Sequence, residues 1–597
     1  MKNKRMNLKF EYRHLLLAAV MATFAVIVMG VLVRVTAGEG CPDWPTCYGI
    51  WTAPVQTSAL LDYVHRAATV LAGLLGLGAL AWTWRRYRST RLIFVPWLLS
   101  VLTFGLEILV SAAGVWQWLP TPLESSLHLG LALLIFGFQL MAVAAAFQTK
   151  IPARLTFQTP FARLSLISLV AIFVLLFSGT LVSVSGATAS CEGWPLCDPV
   201  GALGWLNLGH RAIVAVTGIL AALLFVRAWQ TQRSQPAVLV AATSTAVLFL
   251  AQGLMGAVEF AQGFPPYLLA LHTATSGAVF ATATLTAVLS GLAARDSQAE
   301  RFERAEWRSR TTKGMTKDFL LLTKPIVVLL LLVTTYAGMV IGARAFPPLS
   351  LTFWTLLGGF MAAGGSGAIN QYIDRYDDTR MQRTQKRPIP SGRMTPAEGL
   401  AFGVAMTLGS FYLLVAFVNL LAALLSLAGI IYYVLLYSIF LKKTTVQNIV
   451  IGGGAGAIPP LVGWAAATGS LNIPSLFLFA IVFMWTPPHF WALAIVRRKD
   501  YARAGVPMLP VIRGEVETRK QIFIYTVELV ALTLLIPLFG LGSSLYFVLA
   551  ILLGMWLLGA AYKVWKLEGN KVAWKMYRYS SMYLAFIFVA LMVDALL

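Results

Sequence analysis

The chain has 597 residues, 58% of them hydrophobic and only 12% charged, with mean hydropathy +0.76. A soluble globular chain carries roughly twice that charged fraction, so a water-soluble fold is excluded. The net charge is +22, but the Lys and Arg sit in short loops between apolar runs, which is the positive-inside pattern and not a nucleic-acid surface.

About 17 apolar runs of roughly 20 residues recur along the chain, each long enough to cross a bilayer. In lipid the backbone must bond to itself, so the expected fold is an all-α polytopic membrane protein. The run Leu15–Val33 resembles a signal peptide in position, but no small-residue cleavage site follows it, and it is long enough to remain a span. Lys2, Lys4, Arg5, Lys9 and Arg13 put the N-terminus in the cytoplasm. The loops near 36–61, 116–127 and 186–205 lack Lys and Arg and belong outside. Those holding Arg85–Arg91, Lys150–Arg163 and Arg227–Arg233 belong inside. The eighth run ends near Ala293. Residues 294–315 are dense in charge and free of apolar periodicity, and read as a cytoplasmic linker between domains 1–293 and 316–597. About nine further runs follow, with basic loops at Arg375–Arg393, Lys442–Lys443, Arg497–Lys520 and Lys563–Arg578, which puts the C-terminus outside.

The first domain contains a repeat, about residues 10–150 and 160–293. Gly30-Val-Leu-Val-Arg-Val-Thr36 matches Gly179-Thr-Leu-Val-Ser-Val-Ser185. Each is followed by a C-x2-W-P-x-C loop, Cys41 to Cys47 and Cys191 to Cys197, and then by His65-Arg66 or His210-Arg211. His128 and His272 complete the sets, 144 residues apart, against 145 for His65 and His210. Two four-helix units in the same orientation are expected. The four cysteines lie on the oxidising side, so Cys41–Cys47 and Cys191–Cys197 are the natural disulfides; free thiols or a metal site are the alternatives. Each histidine opens a span entered from outside. Facing His pairs between bundle helices suit the two axial positions of heme iron, and repeat symmetry pairs His65 with His128 and His210 with His272. Structural hydrogen bonding is the bland alternative, and copper or zinc would lack carboxylate or thiolate partners.

These residues resemble heme A synthase, over about residues 10–293. The resemblance implies oxidation of the heme O C8 methyl group to formyl, with heme b held by His210 and His272 and the substrate heme taken by His65 and His128. The family usually has Glu three residues before the first His; here Asp62, one methylene shorter, takes that catalytic place. Glu107 lies inside the third span where the repeat has Gln252. It either fixes packing through a hydrogen bond or supplies chemistry or proton transfer.

In the second domain, Asn370, Asp374 and Asp378 are four apart, so one helix face carries all three. Such crowded carboxylates suit Mg²⁺, which prefers few carboxylates plus phosphate oxygens. Asp377 is off that face. Arg383, Lys386 and Arg387 offer charge to a diphosphate, and a second cluster, His489 to Tyr501, adds Arg497, Arg498 and Asp500. Lys442, Lys443 and Thr444 add donors on the same side. The bland alternative is a solvated charge run. The stretches Asn370–Pro388, Leu441–Pro459 and Trp485–Pro510 resemble the intramembrane prenyltransferases, specifically protoheme farnesyltransferase, over about residues 316–597. The resemblance implies transfer of farnesyl to the 2-vinyl carbon of heme b with addition of water, giving heme O. Asp374, Asp378 and Asp500 would hold Mg²⁺ with help from Asn370; Arg383, Lys386, Arg387, Lys443, Arg497 and Arg498 would bind diphosphate. Where the wider family has a second acid after Asp500, this chain has Ala504. His489 is a heme contact, a base or a packing residue.

The expectation is therefore a bifunctional enzyme of heme A biosynthesis in the cell membrane, with heme b and Mg²⁺ as cofactors and heme b, heme O and farnesyl diphosphate as substrates. An electron donor and terminal-oxidase assembly factors are candidate partners. A membrane b-type cytochrome or a heme transporter fused to a prenyltransferase is the alternative; a cytochrome or a transporter alone leaves the phased acids and the basic cluster unexplained.

Overall fold

The computed structural model describes residues 12–35, 41, 43, 46–191, 193 and 196–597. The basic N-terminal residues Lys2, Lys4, Arg5 and Lys9, and the Trp-Pro pairs of both cysteine loops, lie outside the described residues. Two compact units emerge, Met1–Ser309 and Arg310–Leu597. Both are helical, and among the described residues the one β feature is a bridge between Cys47 and Ile50.

The first unit has eight spanning helices: α1 (Tyr12–Val35), α2 (Thr57–Tyr87), α3 (Arg91–Val115), α4 (Thr121–Ala146), α5 (Pro160–Val184), α6 (Gly201–Thr231), α7 (Pro236–Ala261) and α8 (Pro266–Ala293). The duplication is visible in the elements. Helices α2 and α6 each run for 31 residues. Consecutive helices pair within each half, while α1, α4, α5 and α8 meet where the halves join. Starts are set by proline at the first helical turn of α4, α5, α7 and α8, where no intrahelical N–H is lost.

The stretch expected as a loose linker holds a further helix, α9 (Ser297–Ser309), which belongs to the first unit. Its acids have partners. Glu300 accepts from Gln232, and Glu303 accepts from the Arg233 backbone N–H and from Arg295. Trp307 packs on Trp229. Charge density hid this helix because its bonding face meets a polar surface and not an apolar one.

The second unit holds α10 (Thr312–Leu322), α11 (Pro325–Ala343), α12 (Leu349–Ile373), the single turn α13 (Arg375–Asp378), α14 (Pro396–Phe417) and α15 (Leu420–Ile431), which continues as a π-helix over Tyr432–Leu441. Then come α16 (Asn448–Gly452), α17 (Gly454–Thr468), α18 (Ile473–Val496), the short α19 (Arg498–Arg503) and α20 (Leu509–Ile512), α21 (Gly514–Leu535), α22 (Ser544–Lys566) and α23 (Asn570–Leu596).

Among the described residues, 16 helical segments are long and apolar enough to span a membrane. The protein is a multi-pass membrane protein. Helix α12 is not one of those 16, although it has 25 residues. Its hydropathy is spent on small and polar residues that are buried, from Gly364 to Gly367 and at Asn370 and Gln371. Small residues let backbones approach closely in membrane bundles, where dispersion and hydrogen bonds replace the hydrophobic drive. A Cβ on Gly365 would lie 2.8 Å from the Gly403 carbonyl of α14, and one on Gly403 would lie 2.9 Å from the Gly365 carbonyl. Helices α11 and α17 are tighter still, since a Cβ on Gly463 would collide with the Thr335 carbonyl. We expect Gly463→Ala to cost about 1–3 kcal/mol through overpacking, read as a lowered melting temperature in detergent. Gly456→Ala on the same helix, where a Cβ meets nothing within 4 Å, should be neutral.

Candidate functional sites

In the first unit the four histidines occupy matched seats. His65 on α2 lies over Gly30 of α1, where a Cβ would come within 3.0 Å of its ring. His210 on α6 lies over Gly179 of α5 with a corresponding 3.1 Å. The repeated glycine is thus the space into which each imidazole fits. His65 lies within electrostatic reach of His128, and His272 of His210. Two of the four rings hydrogen-bond a polar side chain at Nδ1, and a third has a carboxylate nearby; Nδ1 of His65 and of His272 have no hydrogen-bond partner. Ser178 Oγ is 2.9 Å from His210 Nδ1. His128 Nδ1 is paired with Glu107 and has Ser111 Oγ at 3.2 Å. His272 Nδ1 is 3.4 Å from Glu259 Oε1. A metal-bound histidine ordinarily uses one ring nitrogen for the metal and the other for such a partner. The residues present therefore fit heme ligation through Nε2. Ser178 and Glu259 are not among the residues the sequence singles out.

Both cysteine pairs are disulfides, Cys41–Cys47 and Cys191–Cys197. Each loop is gripped by the arginine that follows the histidine. Arg66 donates to the carbonyls of Cys41, Asp43 and Thr46, and Arg211 to those of Cys191 and Gly193. Asp62, expected as a catalytic acid, is engaged in the same grip. Its oxygens accept from Arg66 at 3.1 and 2.9 Å and from the Cys41 backbone N–H at 3.0 Å. Asn207 takes the matching place in the second half and accepts from Arg211 at 2.9 Å. A neutral amide thus performs the anchoring that Asp62 performs.

In the second unit α12 ends at Asn370–Ile373, and the turn α13 carries the acids onward. Asn370, Asp374 and Asp378 are all buried. Asn370 Nδ2 donates to Asp374 Oδ2 at 2.9 Å and to Ser438 at 3.0 Å. Lys442 pairs with Asp374, and Arg387 with Asp378 at 2.7 Å. Lys324, just ahead of α11, donates to Asn370 Oδ1 at 2.6 Å and to the Tyr433 hydroxyl at 3.2 Å. Burial pulls its ammonium down from 10.5 to about 8, with the Arg387 charge acting in the same direction. Buried carboxylates at 2% and 3% exposure are tolerable only because cations face them. One lone pair is left over: Asp374 Oδ1 is buried with no hydrogen-bond partner.

Among the described residues no three His, Cys, Asp or Glu converge into a metal site of protein atoms alone. Magnesium ordinarily completes its octahedron with water and substrate phosphate, so one open carboxylate oxygen beside a cationic cluster fits it.

The other expected residues divide. Tyr437 lies within electrostatic reach of both Asp374 and Tyr501, and Tyr501 within reach of Arg383, Arg497 and Asp500. These residues therefore border the cluster. Asp500 itself bonds Arg503 at 2.8 Å. Arg498 pairs with Glu515 at 2.9 Å, and Lys443 with the off-face Asp377 at 2.5 Å. Lys386 lines a surface cavity of about 520 Å³ beside Arg393. His489 is buried, stacked between Trp485 and Tyr577, with Nδ1 2.9 Å from Ser580 Oγ, which is the setting of a packing histidine. The sequence reading favoured Lys443 over Lys442 and passed over Lys324. The π-helix before Lys442 changes which side chain faces inward, and Lys324 reaches the cluster from a different helix start.

Comparison with known proteins bears on both units. Residues 13–202 match the model of the cytochrome oxidase assembly protein family, and residues 331–587 that of the UbiA prenyltransferase family. The protoheme IX farnesyltransferase of Chloroflexus aurantiacus is 36% identical over 98% of this chain and 98% of its own length. That of Roseiflexus sp. is 42% identical over 84% of this chain and 97% of its own. A protein of the same name from Symbiobacterium thermophilum is 46% identical and aligns over 98% of its length with 49% of this chain. The polar cluster at the end of α12 and the doubled histidine seats thus occur in a chain that belongs to the protoheme IX farnesyltransferase family, with a heme A synthase-type unit in its N-terminal part.

Proposed function

We propose that the second unit transfers a farnesyl group from farnesyl diphosphate to heme b, giving heme O, and that the first unit, using an external oxidant as electron acceptor, oxidises the heme O C8 methyl group to formyl, giving heme A. The observation that carries the transferase half is the buried Asn370–Asp374 pair, ringed by Lys324, Lys442 and Arg387, with Asp374 Oδ1 left open. Magnesium, when bound, offsets the charge of the diphosphate. Asp374 and Asp378 hold it with Asn370, and Asp500 approaches from the second cluster. Lys324, Arg383, Arg387, Lys442 and Arg497 donate to the diphosphate oxygens. Lys386, Lys443 and Arg498 serve more remotely, in attracting the anion. The allylic C–O bond breaks with its electron pair leaving on the diphosphate, and a new carbon–carbon bond forms to the vinyl group. Water then adds to the resulting cation and gives up a proton to solvent, leaving the hydroxyl. Cations fixed in advance around the leaving group need no reorganisation at that moment, which is the main source of catalysis in such sites.

In the first unit His210 and His272 hold a resident heme b, and His65 and His128 take heme O as substrate. Heme iron supplies the redox chemistry when bound. The repeats differ in a way that supports this division of labour. Asp62 and Glu107 of the first half align with Asn207 and Gln252 of the second, so at these two repeat positions only the substrate seat carries acids. Because Asp62 is bound into the disulfide-loop grip, its part in this reading is to hold His65-Arg66 in place and not to move protons. Residues 294–315 join the two activities, and the cysteine loops face outward.

Expression with heme b and farnesyl diphosphate, followed by pigment analysis, tests the assignment. Asp374→Ala should abolish heme O, whereas His65→Ala should leave heme O to accumulate without heme A. Heme O made by Asp374→Ala would remove the diphosphate reading. Lys324→Met should weaken farnesyl diphosphate binding by about 1.5–3 kcal/mol, the worth of a hydrogen bond to a charged group, measured as a raised KM. Asp62→Asn keeps an acceptor for Arg66 and should retain heme A formation, while Asp62→Ala should make the Cys41–Cys47 pair more open to reductant.

A further inference from the structure

The first unit buries polar atoms inside lipid-spanning helices, where each needs a partner. Among the described residues, two carboxylates are buried within its spanning helices, Glu107 at 7% exposure and Glu259 at 5%. Both lie on the third helix of their repeat. Both approach the Nδ1 atom of the fourth-helix histidine: Glu107 pairs with His128, while Glu259 Oε1 stands 3.4 Å from His272 Nδ1 and neither of those two atoms has a hydrogen-bond partner.

They do not get there by duplication. The repeat offset of 145 aligns Glu107 with Gln252, and Glu259 with Gly114. Gln252 has another task, since its Nε2 donates to Ser276 Oγ at 2.5 Å. The two acids thus sit seven residues apart in repeat register, about two helical turns. The same contact is made twice from different places. A packing salt bridge inherited from a common four-helix unit would have kept one position. Two positions meeting one ring atom point to what that ring atom needs.

We propose that Glu107 and Glu259 are positioning residues for iron ligation, each placed to accept the Nδ1–H of its histidine, closely in the first half and from 3.4 Å in the second. They fix the tautomer so that Nε2 faces the heme, and strengthen that nitrogen as a ligand. The inference rests on the heme-ligation reading given above. A carboxylate accepting Nδ1–H lends the imidazole partial anionic character, which favours ferric over ferrous iron. The two halves are not equal in this. Glu107 pairs closely with its ring, shares Ser111 as a hydrogen-bonding neighbour at 3.3 Å, and keeps Oε2 free of any partner. Glu259 stands further off. The seat taken by substrate heme therefore has the stronger donor, and its iron is the harder of the two to reduce.

The test uses the full-length protein purified with heme. His128→Ala and His272→Ala first assign the absorption and electron paramagnetic resonance signals to the two seats. Glu107→Gln should then lower heme affinity in the first seat about 10–100-fold, the usual effect of losing such a partner. It should also raise that heme's midpoint potential and leave the second seat's signals at their wild-type values. Glu259→Gln should do the converse, with a smaller rise. The untouched seat reports folding within each variant, and Glu107→Asp should restore part of the potential. First-seat affinity, potential and resonance spectrum that stay at wild-type values in both Glu107→Gln and Glu107→Ala would overturn the proposal while leaving heme ligation intact. A spectrum indifferent to His128→Ala would instead overturn the ligation reading itself.

Discussion

A charged or hydrogen-bonding side chain inside a bilayer-spanning bundle has no water to turn to, so it persists only where another protein group, a metal or a ligand completes it. That constraint organises both units. Asp374 and Asp378 are held by Asn370, Lys442 and Arg387, Glu107 is held by an imidazole, and Glu259 stands 3.4 Å from one. Apolar helices elsewhere in the chain are interchangeable in kind. The buried acids are not, because the cations and rings set beside them are particular ones.

The scaffold around these residues is arranged to bring backbones close. Gly30 and Gly179 make room for rings, whereas Gly365, Gly403 and Gly463 let helices touch. Helix α12 shows the cost of this. It gives up so much hydropathy that length and composition alone do not mark it as a span, and yet it delivers Asn370 and Asp374 to the cluster. Its stability comes from α14 lying against it and not from lipid.

Duplication in the first unit supplies an internal comparison. The elements common to both halves are the glycine seat, the disulfide loop, the arginine grip and the two histidines. These are what the architecture requires of either copy. Asp62 against Asn207 separates a shared mechanical task, anchoring the loop, from a charge that only one copy has. Family resemblance pointed to Asp62 as a catalytic acid; its oxygens are bonded to Arg66 and to the Cys41 backbone N–H.

The sequence by itself determined the helical class, the eight-helix duplication, the cysteine pairings and the phased Asn370–Asp374–Asp378 face, because hydropathy, repeat spacing and helical period are local properties of the chain. Tertiary structure decided which groups meet. It chose Lys442 over Lys443 through a π-helical change of register, and brought in Lys324 from a helix start 46 residues before Asn370. It folded the charged segment after Ala293 into a docked helix, and carried Glu259 to His272. Each of these depends on side chains from separate helices arriving at one point, and no single-helix pattern records where its neighbour's polar atoms will be.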